Sequence, residues 1–221
     1  NRTYSPGTEL DFSYLYDSIS LNVANVLPAG IANYMTPFSG HWMGLRHTDK
    51  LINNRRSVRT WYKEAEEEIF YILSNSNFYD QIINFYKSSS IYGTGVLYSE
   101  EDERDIIRFY NMPIKQVFLV DDARQRVSQF YIEFEYTTTQ AVDRFGLDKV
   151  SQDIRESFEK QHKPDKKWPF LLFVGERYDR NPNKSDNVNM PIEASWDDLN
   201  QKMVMDEAGD DRMPIILHRF H

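Results

Sequence analysis

Apolar residues recur at helical spacing through the first third of the chain. After a candidate N-cap at Asp17 or Ser18, they follow one another at steps of three and four residues, which predicts an α-helix. Pro28 and Gly30 lie inside this pattern, so we expect the helix to kink or split there. Residues 1–16 are polar and aromatic and predict an N-terminal arm. The apolar stripe of the helix comprises Ile19, Val23, Val26 or Leu27, Ile31 and Tyr34.

Two further helices are predicted between residues 54 and 90. The first covers about 54–73 and ends at the polar segment 75–77, which also caps the second. The outer face of the first of these helices carries a dense acidic run, which is typical of a solvated helix surface. The run consists of Glu64, Glu66, Glu67 and Glu68. The predicted apolar positions of the two helices are Val58, Trp61, Tyr62, Ala65, Ile69, Tyr71 and Leu73, then Phe78, Ile82, Phe85 and Tyr86.

Beyond Gly95 the apolar period changes from helical to extended. The segments 96–98 and 106–110 flank an acidic turn and predict a hairpin, and 117–120 with 127–136 predict a second one. Thr137 with Gln140 forms a capping-box pattern before a short helix that ends at Phe145-Gly146, and a polar helix is expected over 151–161. Later strands are predicted at 170–174, 192–196, 202–206 and 215–220.

Helices therefore dominate residues 17–91 and strands dominate residues 92–221. Without a regular alternation of strand and helix, this order favours an α+β fold of N-terminal helices followed by antiparallel hairpins and short helices, rather than a doubly wound sheet.

The amino-acid composition limits the classes of partner that the chain is expected to bind. Asp and Glu number 34 against 26 Lys and Arg, a formal charge of −8, which argues against tight binding of nucleic acid over a broad surface. The 14 Phe, 14 Tyr and 4 Trp are more aromatic side chains than one core needs, so part of them is expected at subunit interfaces. With no cysteine there is no disulfide framework or thiolate chemistry. No apolar run approaches the ~20 residues of a membrane span.

No catalytic, cofactor-binding or metal-binding constellation is evident. Gly93-Thr94-Gly95 lacks the further glycine and the lysine of a phosphate loop and indicates a tight helix-to-strand junction instead. His218 and His221 have no partner carboxylate in a motif, and the adjacent acid pairs lie in predicted turns. We therefore expect no catalytic residue, no cofactor and no metal.

Read in order, the segments resemble the portal (head-to-tail connecting) proteins of short-tailed bacteriophages. The resemblance begins with Asp17-Ser18, Ala24, Ala29-Gly30, Thr36-Pro37, Trp42, Leu45, Trp61 and Glu66. Its most specific run is Ser76-Asn77-Phe78-Tyr79, Tyr92-Gly93-Thr94-Gly95, Glu100-Glu101 and Ile107-Arg108-Phe109. It continues through Pro113, Asp122, Arg124, Val127, Phe145-Gly146 and the closing segment from Met213-Pro214 to Arg219-Phe220.

The resemblance implies a subunit of a dodecameric ring at one capsid vertex, through which double-stranded DNA is packaged and ejected without sequence-specific binding. The implied partners are the major capsid protein, the scaffolding protein, the terminase large subunit and tail or adaptor proteins, with no membrane. The implied location is the virion, after assembly in the host cytoplasm. The chain would be a fragment that supplies the wing and body over 17–221, with stem, clip and crown beyond residue 221.

A ring interface joins two different surfaces of the subunit, so patches of unlike charge are expected on its opposite flanks. One basic cluster is present, at the start of the second helix, and it is also compatible with a simple solvated helix start or with a local contact to phosphate. The hypothesis is that a neighbour's acidic run faces this cluster, the candidate contacts being Arg55, Arg56 and Arg59 with Glu64, Glu66, Glu67 and Glu68. The alternatives are a non-catalytic α+β binding module or a stand-alone enzyme domain, either of which requires a concave site with convergent polar groups.

Overall fold

The computed structural model describes residues 19–102, 104–160, 163–184 and 186–219; the predicted arm at 1–16 lies outside them. The helices are α1 (Ile19–Met35), α2 (Lys50–Asn53), α3 (Arg56–Asn75), α4 (Phe78–Tyr92), α5 (Thr138–Phe145) and α6 (Gln152–Glu159). The strands are β1 (Thr94–Asp102), β2 (Ile106–Met112), β3 (Val117–Asp121), β4 (Val127–Thr137), β5 (Lys167–Glu176), β6 (Ile192–Asp198), β7 (Met203–Asp210) and β8 (Ile215–Arg219). The predicted α+β class is confirmed.

The strands form two antiparallel sheets. Sheet A has the order β2-β1-β8, and sheet B has the order β3-β4-β5-β6-β7. Both predicted hairpins are present, as β1–β2 and β3–β4. The last strand returns to pair with β1, so that Leu97 lies between Asn111 on one side and Ile216 on the other. Sheet A is therefore completed by a segment distant in sequence.

Sheet A is the middle layer of the molecule. Along β1, alternate side chains point to opposite faces. Leu97 packs with Phe109 of β2 against the buried side of α4. Val96 and Tyr98 instead enter the larger core, which they share with the inner face of sheet B and with α5 and α6. The layers thus run from α4 through sheet A to sheet B.

The α4–β1 junction explains the glycine pair. Gly93 caps α4 in the left-handed conformation, with φ of 71°, and its N–H donates to the Ser89 carbonyl at 3.0 Å. A Cβ on Gly95 would lie 3.0 Å from the Phe85 ring and would also collide with the Ser89 hydroxyl. The predicted tight helix-to-strand junction is confirmed, because only glycine lets β1 approach α4 this closely.

Helix α1 continues through Pro28 and Gly30 and is not split there. Pro28 is fully buried and shares one side of the helix with Ala32 and Thr36, at steps of four residues. This side packs on α4, where the Thr36 hydroxyl lies 3.4 Å from the Tyr86 hydroxyl. The proline ring is therefore a packing element of the α1–α4 contact.

The capping box at the start of α5 is confirmed and supports a prediction. The Thr137 hydroxyl accepts from the Gln140 N–H at 3.3 Å, and the Gln140 side chain accepts from the Thr137 N–H at 2.9 Å. We expect Thr137→Ala to lower the free energy of unfolding by about 1 kcal/mol, because a helix donor loses its partner. Denaturant unfolding measures this, with Thr139→Ala as the control outside the cap. Equal stabilities of the two variants would contradict the role of the cap.

Candidate inter-subunit surface

The basic cluster lies at the exposed N-terminus of α3. Arg55 occupies the N-cap position, Arg56 is the first helical residue, and Arg59 follows one turn later; all three are exposed. The first turn carries no acidic residue, and the cap makes no side-chain hydrogen bond. Since the N-terminus of a helix carries partial positive charge, three arginines there repel it and one another. The arrangement favours an acidic neighbour.

The predicted acidic face of α3 is only partly correct. Glu66 lies four residues after Tyr62 and four before the buried Phe70, so it shares the inner side of the helix. There its carboxylate accepts a hydrogen bond from the Leu45 N–H and holds the loop that follows α1. Glu67 faces outward and forms an exposed ion pair with Lys63 at 3.8 Å. Glu66 therefore already has a partner within its own subunit.

The remaining two glutamates border exposed aromatic side chains. Glu64 and Glu68 are exposed, at positions that lie between Trp61 and Tyr71 on one side of the helix. Trp61 is 61% exposed and Tyr71 is 65% exposed, although the apolar pattern predicts both of them on the buried side. Exposed tryptophan and tyrosine side chains on one helix face are typical of an interaction surface.

The arginines and glutamates of α3 do not pair with one another inside the subunit. Over the part of the chain that the structure describes, no salt bridge joins the cluster at Arg55, Arg56 and Arg59 to the acidic run. The acidic run lies in the middle of α3, and its first residue, Glu64, is about 7.5 Å along the helix axis from Arg59. The two patches therefore remain available to contact separate neighbours.

Sequence reasoning missed an ion pair between the two halves of the β-rich region. Arg144 of α5 binds Glu100 of β1 through two hydrogen bonds, of 2.7 and 3.2 Å. The guanidinium lies 4.4 Å from the ring centroid of Trp196 in β6, and the Tyr110 hydroxyl donates to Glu100 at 2.6 Å. This cluster ties sheet A to sheet B. No local pattern in the sequence brings these residues together.

Comparison with known proteins identifies the family of the chain. The family described as "Bacteriophage head to tail connecting protein" matches residues 2–221. The chain belongs to this family. It is also 25% identical over 198 residues to the "Portal protein" of Salmonella phage epsilon15, a match that covers 88% of this chain and 35% of the relative. The chain thus spans about a third of the length of that portal protein, and the resemblance seen in the ordered motifs is confirmed.

Two further observations on this member of the family concern metal ions and membranes. Among the described residues, no group of three or more histidine, aspartate or glutamate side chains is arranged to hold a metal ion. Within the same residues, no helix combines the length and the apolar character that crossing a bilayer requires.

The cluster around Glu100 predicts that the stability of this chain falls at alkaline pH. Burial, followed by the charge of Glu100, raises the pKa of Tyr98 far above its usual value near 10, and burial with the hydrogen bond to Glu100 does the same to the pKa of Tyr110. The unfolded chain loses these protons near pH 10, while the folded chain keeps them. Stability is therefore fully present below pH 10 and is lost as the pH rises above it.

The matching experiment compares denaturant unfolding at pH 9 and pH 11. We expect the Tyr98→Phe/Tyr110→Phe variant to lose less stability across this interval than the unsubstituted protein, by about 1 kcal/mol. Tyr178→Phe, at a residue that is 79% exposed, is the control and should behave like the unsubstituted protein. An identical loss in all three proteins would contradict the assigned pKa shifts.

Proposed function

We propose that this chain is part of a portal subunit. In this account it helps to form a dodecameric ring at one capsid vertex, through which double-stranded DNA enters during packaging and leaves during ejection. The observation that carries the proposal is the family match over residues 2–221, together with the likeness to a phage portal protein over 88% of the chain. Assembly takes place in the host cytoplasm with the capsid and scaffolding proteins, and the ring docks the terminase and tail or adaptor proteins.

The charge of the chain supports a conduit rather than a DNA-gripping surface. The formal charge of −8 opposes the release of counterions that drives tight binding to phosphates. A portal has to let DNA pass in both directions, so weak electrostatic attraction favours movement over retention. The assembled ring is then part of the virion.

We propose that the described residues form the wing and body of the subunit. Within the described residues, the close α4–β1 contact joins the predicted helical part, 17–91, to the predicted β-rich part, 92–221. The chain corresponds to about a third of its relative's length, and the stem, clip and crown belong to the remainder of a full-length subunit.

We also propose an ionic contact between neighbouring subunits. Arg55, Arg56 and Arg59 of one copy face the acidic surface of α3 in the next, where Glu64 and Glu68 are exposed. An acidic partner removes the repulsion between the arginines and the positive end of their helix. Glu67 joins this contact by leaving its exposed pair with Lys63, whereas Glu66 remains bonded to Leu45.

A charge swap tests the contact on the full-length protein. We expect Arg55→Glu/Arg56→Glu to reduce ring formation, because like charges then face each other across the interface. Adding Glu64→Arg/Glu68→Arg should restore rings. Arg126→Glu, at an exposed hairpin tip where the arginine pairs with Asp122, is the control and should leave assembly unchanged. Normal ring yield in the first variant would show that the pairing is wrong.

The function itself is tested in infected cells. A phage carrying a stop codon in this gene should accumulate capsids without DNA, alongside unpackaged genomes, and supply of the intact gene from a plasmid should restore DNA-filled heads. DNA-filled heads made without the protein would contradict a portal role.

A further inference from the structure

The predicted apolar stripe of α1 exists, but it faces outward. Val23, Val26, Leu27 and Tyr34 are between 48% and 87% exposed, because Pro28, Ala32 and Thr36 on the other side make the contact with α4. Gly30 lies among the exposed positions, and a Cβ there would meet nothing within 4 Å. An apolar helix face of this kind is normally covered.

The stripe borders an open groove between α1 and the end of α4. Val23, Ala24 and Leu27 line one wall, Ser90 and Ile91 line the other, and the volume is about 510 Å³. The helix has no charged residue anywhere in Ile19–Met35. The groove is therefore suited to an uncharged, largely apolar side chain and large enough for an indole.

The size of the surface indicates a protein partner. An aromatic side chain such as Tyr34 has an area of roughly 150–250 Å² and an aliphatic one somewhat less, so the stripe with Ile19 leaves on the order of 600 Å² in contact with water. A stable protein–protein interface buries about 800 Å² on each partner. The α1 face thus approaches the area that one side of such an interface needs.

A second copy of this chain carries a side chain of the required kind. Trp61 is 61% exposed on the first half of α3, and the only buried residue of that helix, Phe70, lies in the second half. Arg59 precedes Trp61 and Glu64 follows it on the same helix, so the tryptophan lies between the two charged patches of the ionic contact proposed above. Tryptophan is among the residue types that are enriched in interface hot spots.

We propose that Trp61 of one subunit inserts into the α1–α4 groove of the next subunit in the ring. Groove and tryptophan are different surfaces of the same chain, so the contact is heterologous and repeats from copy to copy until the ring closes. It rests on the proposed portal function, and it supplies the apolar centre that the ionic contact of α3 lacks.

The first test compares ring assembly of full-length variants at equal concentration. Trp61→Ala and Gly30→Gln should each lower the ring yield at least tenfold, while circular dichroism and melting temperature of the unassembled subunit stay unchanged. Gly30→Gln adds a side chain where the subunit itself leaves open space, so folding is not at risk. Tyr178→Ala, at an exposed loop residue, is the control.

The second test uses the absence of cysteine from these 221 residues, after replacement by serine of any cysteine in the remainder of the full-length protein. Oxidation of a Trp61→Cys/Leu27→Cys variant should give a ladder of covalent multimers, whereas each single variant should give none. Trp61→Cys/Lys184→Cys is the control pair and should give no ladder above background.

Several results would overturn the inference. Normal rings from Trp61→Ala and Gly30→Gln, or no ladder from the paired cysteines, would exclude the contact. Covalent dimers from Leu27→Cys alone would mean that two α1 faces pair symmetrically. A lower melting temperature of the subunit in Gly30→Gln would mean that the chain covers the exposed face of α1 itself. If the unsubstituted protein forms no ring under any assembly condition, the proposed function fails instead.

Discussion

Replacement of Phe170 by alanine is expected to lower the free energy of unfolding by about 3–5 kcal/mol. Phe170 is fully buried at the centre of sheet B, in β5, between its register partners Phe134 and Asp198. Its ring centroid lies 5.4 Å from that of Phe145 in α5, which packs on the same inner face. Truncation removes apolar area from the core and leaves a cavity that two sheets and a helix cannot collapse to fill.

Chemical denaturation monitored by circular dichroism measures this loss. Phe118→Ala is the matched control, because Phe118 lies on edge strand β3 and is 52% exposed. We expect less than about 1 kcal/mol there. Similar losses at the two positions would contradict the assignment of the inner face of sheet B as the main core.

The second large effect is expected from Glu100→Ala, which should cost about 2–3 kcal/mol. The side chains of Glu100 and Arg144 are 18% and 27% exposed, so their charges are partly removed from water. Loss of the carboxylate leaves the guanidinium against the Trp196 ring without its counter-charge. It also removes the acceptor of the Tyr110 hydroxyl. Residual exposure keeps the cost below that of a fully buried pair.

A double-mutant cycle separates this pair from the rest of the cluster. The combined Glu100→Ala/Arg144→Ala variant should lose less stability than the two single variants added together, because neither charge is left alone. Glu101→Ala, on the next and exposed residue of β1, should change stability by less than about 0.5 kcal/mol. If Glu100→Ala behaved like Glu101→Ala, the ion pair would contribute nothing to the joint between the sheets.

The features that sequence reasoning predicted correctly are local ones. The capping box at Thr137 and the glycine pair at Gly93 and Gly95 each depend on residues within a few positions of one another. Both hairpins likewise join neighbouring segments. Dihedral preferences and short-range hydrogen bonds determine such features before any tertiary packing is considered.

The features that sequence reasoning missed depend on how elements that are far apart in the sequence pack against one another. The apolar stripe of α1 predicts a helix but cannot show that Pro28 and Ala32 pack inward while Val26 faces water. The pairing of β8 with β1 and the ion pair of Arg144 with Glu100 join segments far apart in the chain. Burial is a property of the assembled layers, so a one-dimensional pattern cannot assign it.

The acidic run of α3 contains both a correct and a wrong prediction. Most of its carboxylates face water, as a charge run predicts, but Glu66 belongs to the inner side because Tyr62 and Phe70 flank it at steps of four. The helical period therefore contained the signal that singles out Glu66. Its partner, the Leu45 N–H, follows only from the path of the loop after α1.

We propose above that the chain builds a closed ring around a channel. Electron microscopy of the purified full-length protein, expressed together with the capsid and scaffolding proteins of the same phage, tests it most directly. We expect rings with a central hole and twelvefold symmetry, present at one vertex of each assembled capsid. Particles that contain only single subunits or symmetric dimers, with no ring at any vertex, would contradict it.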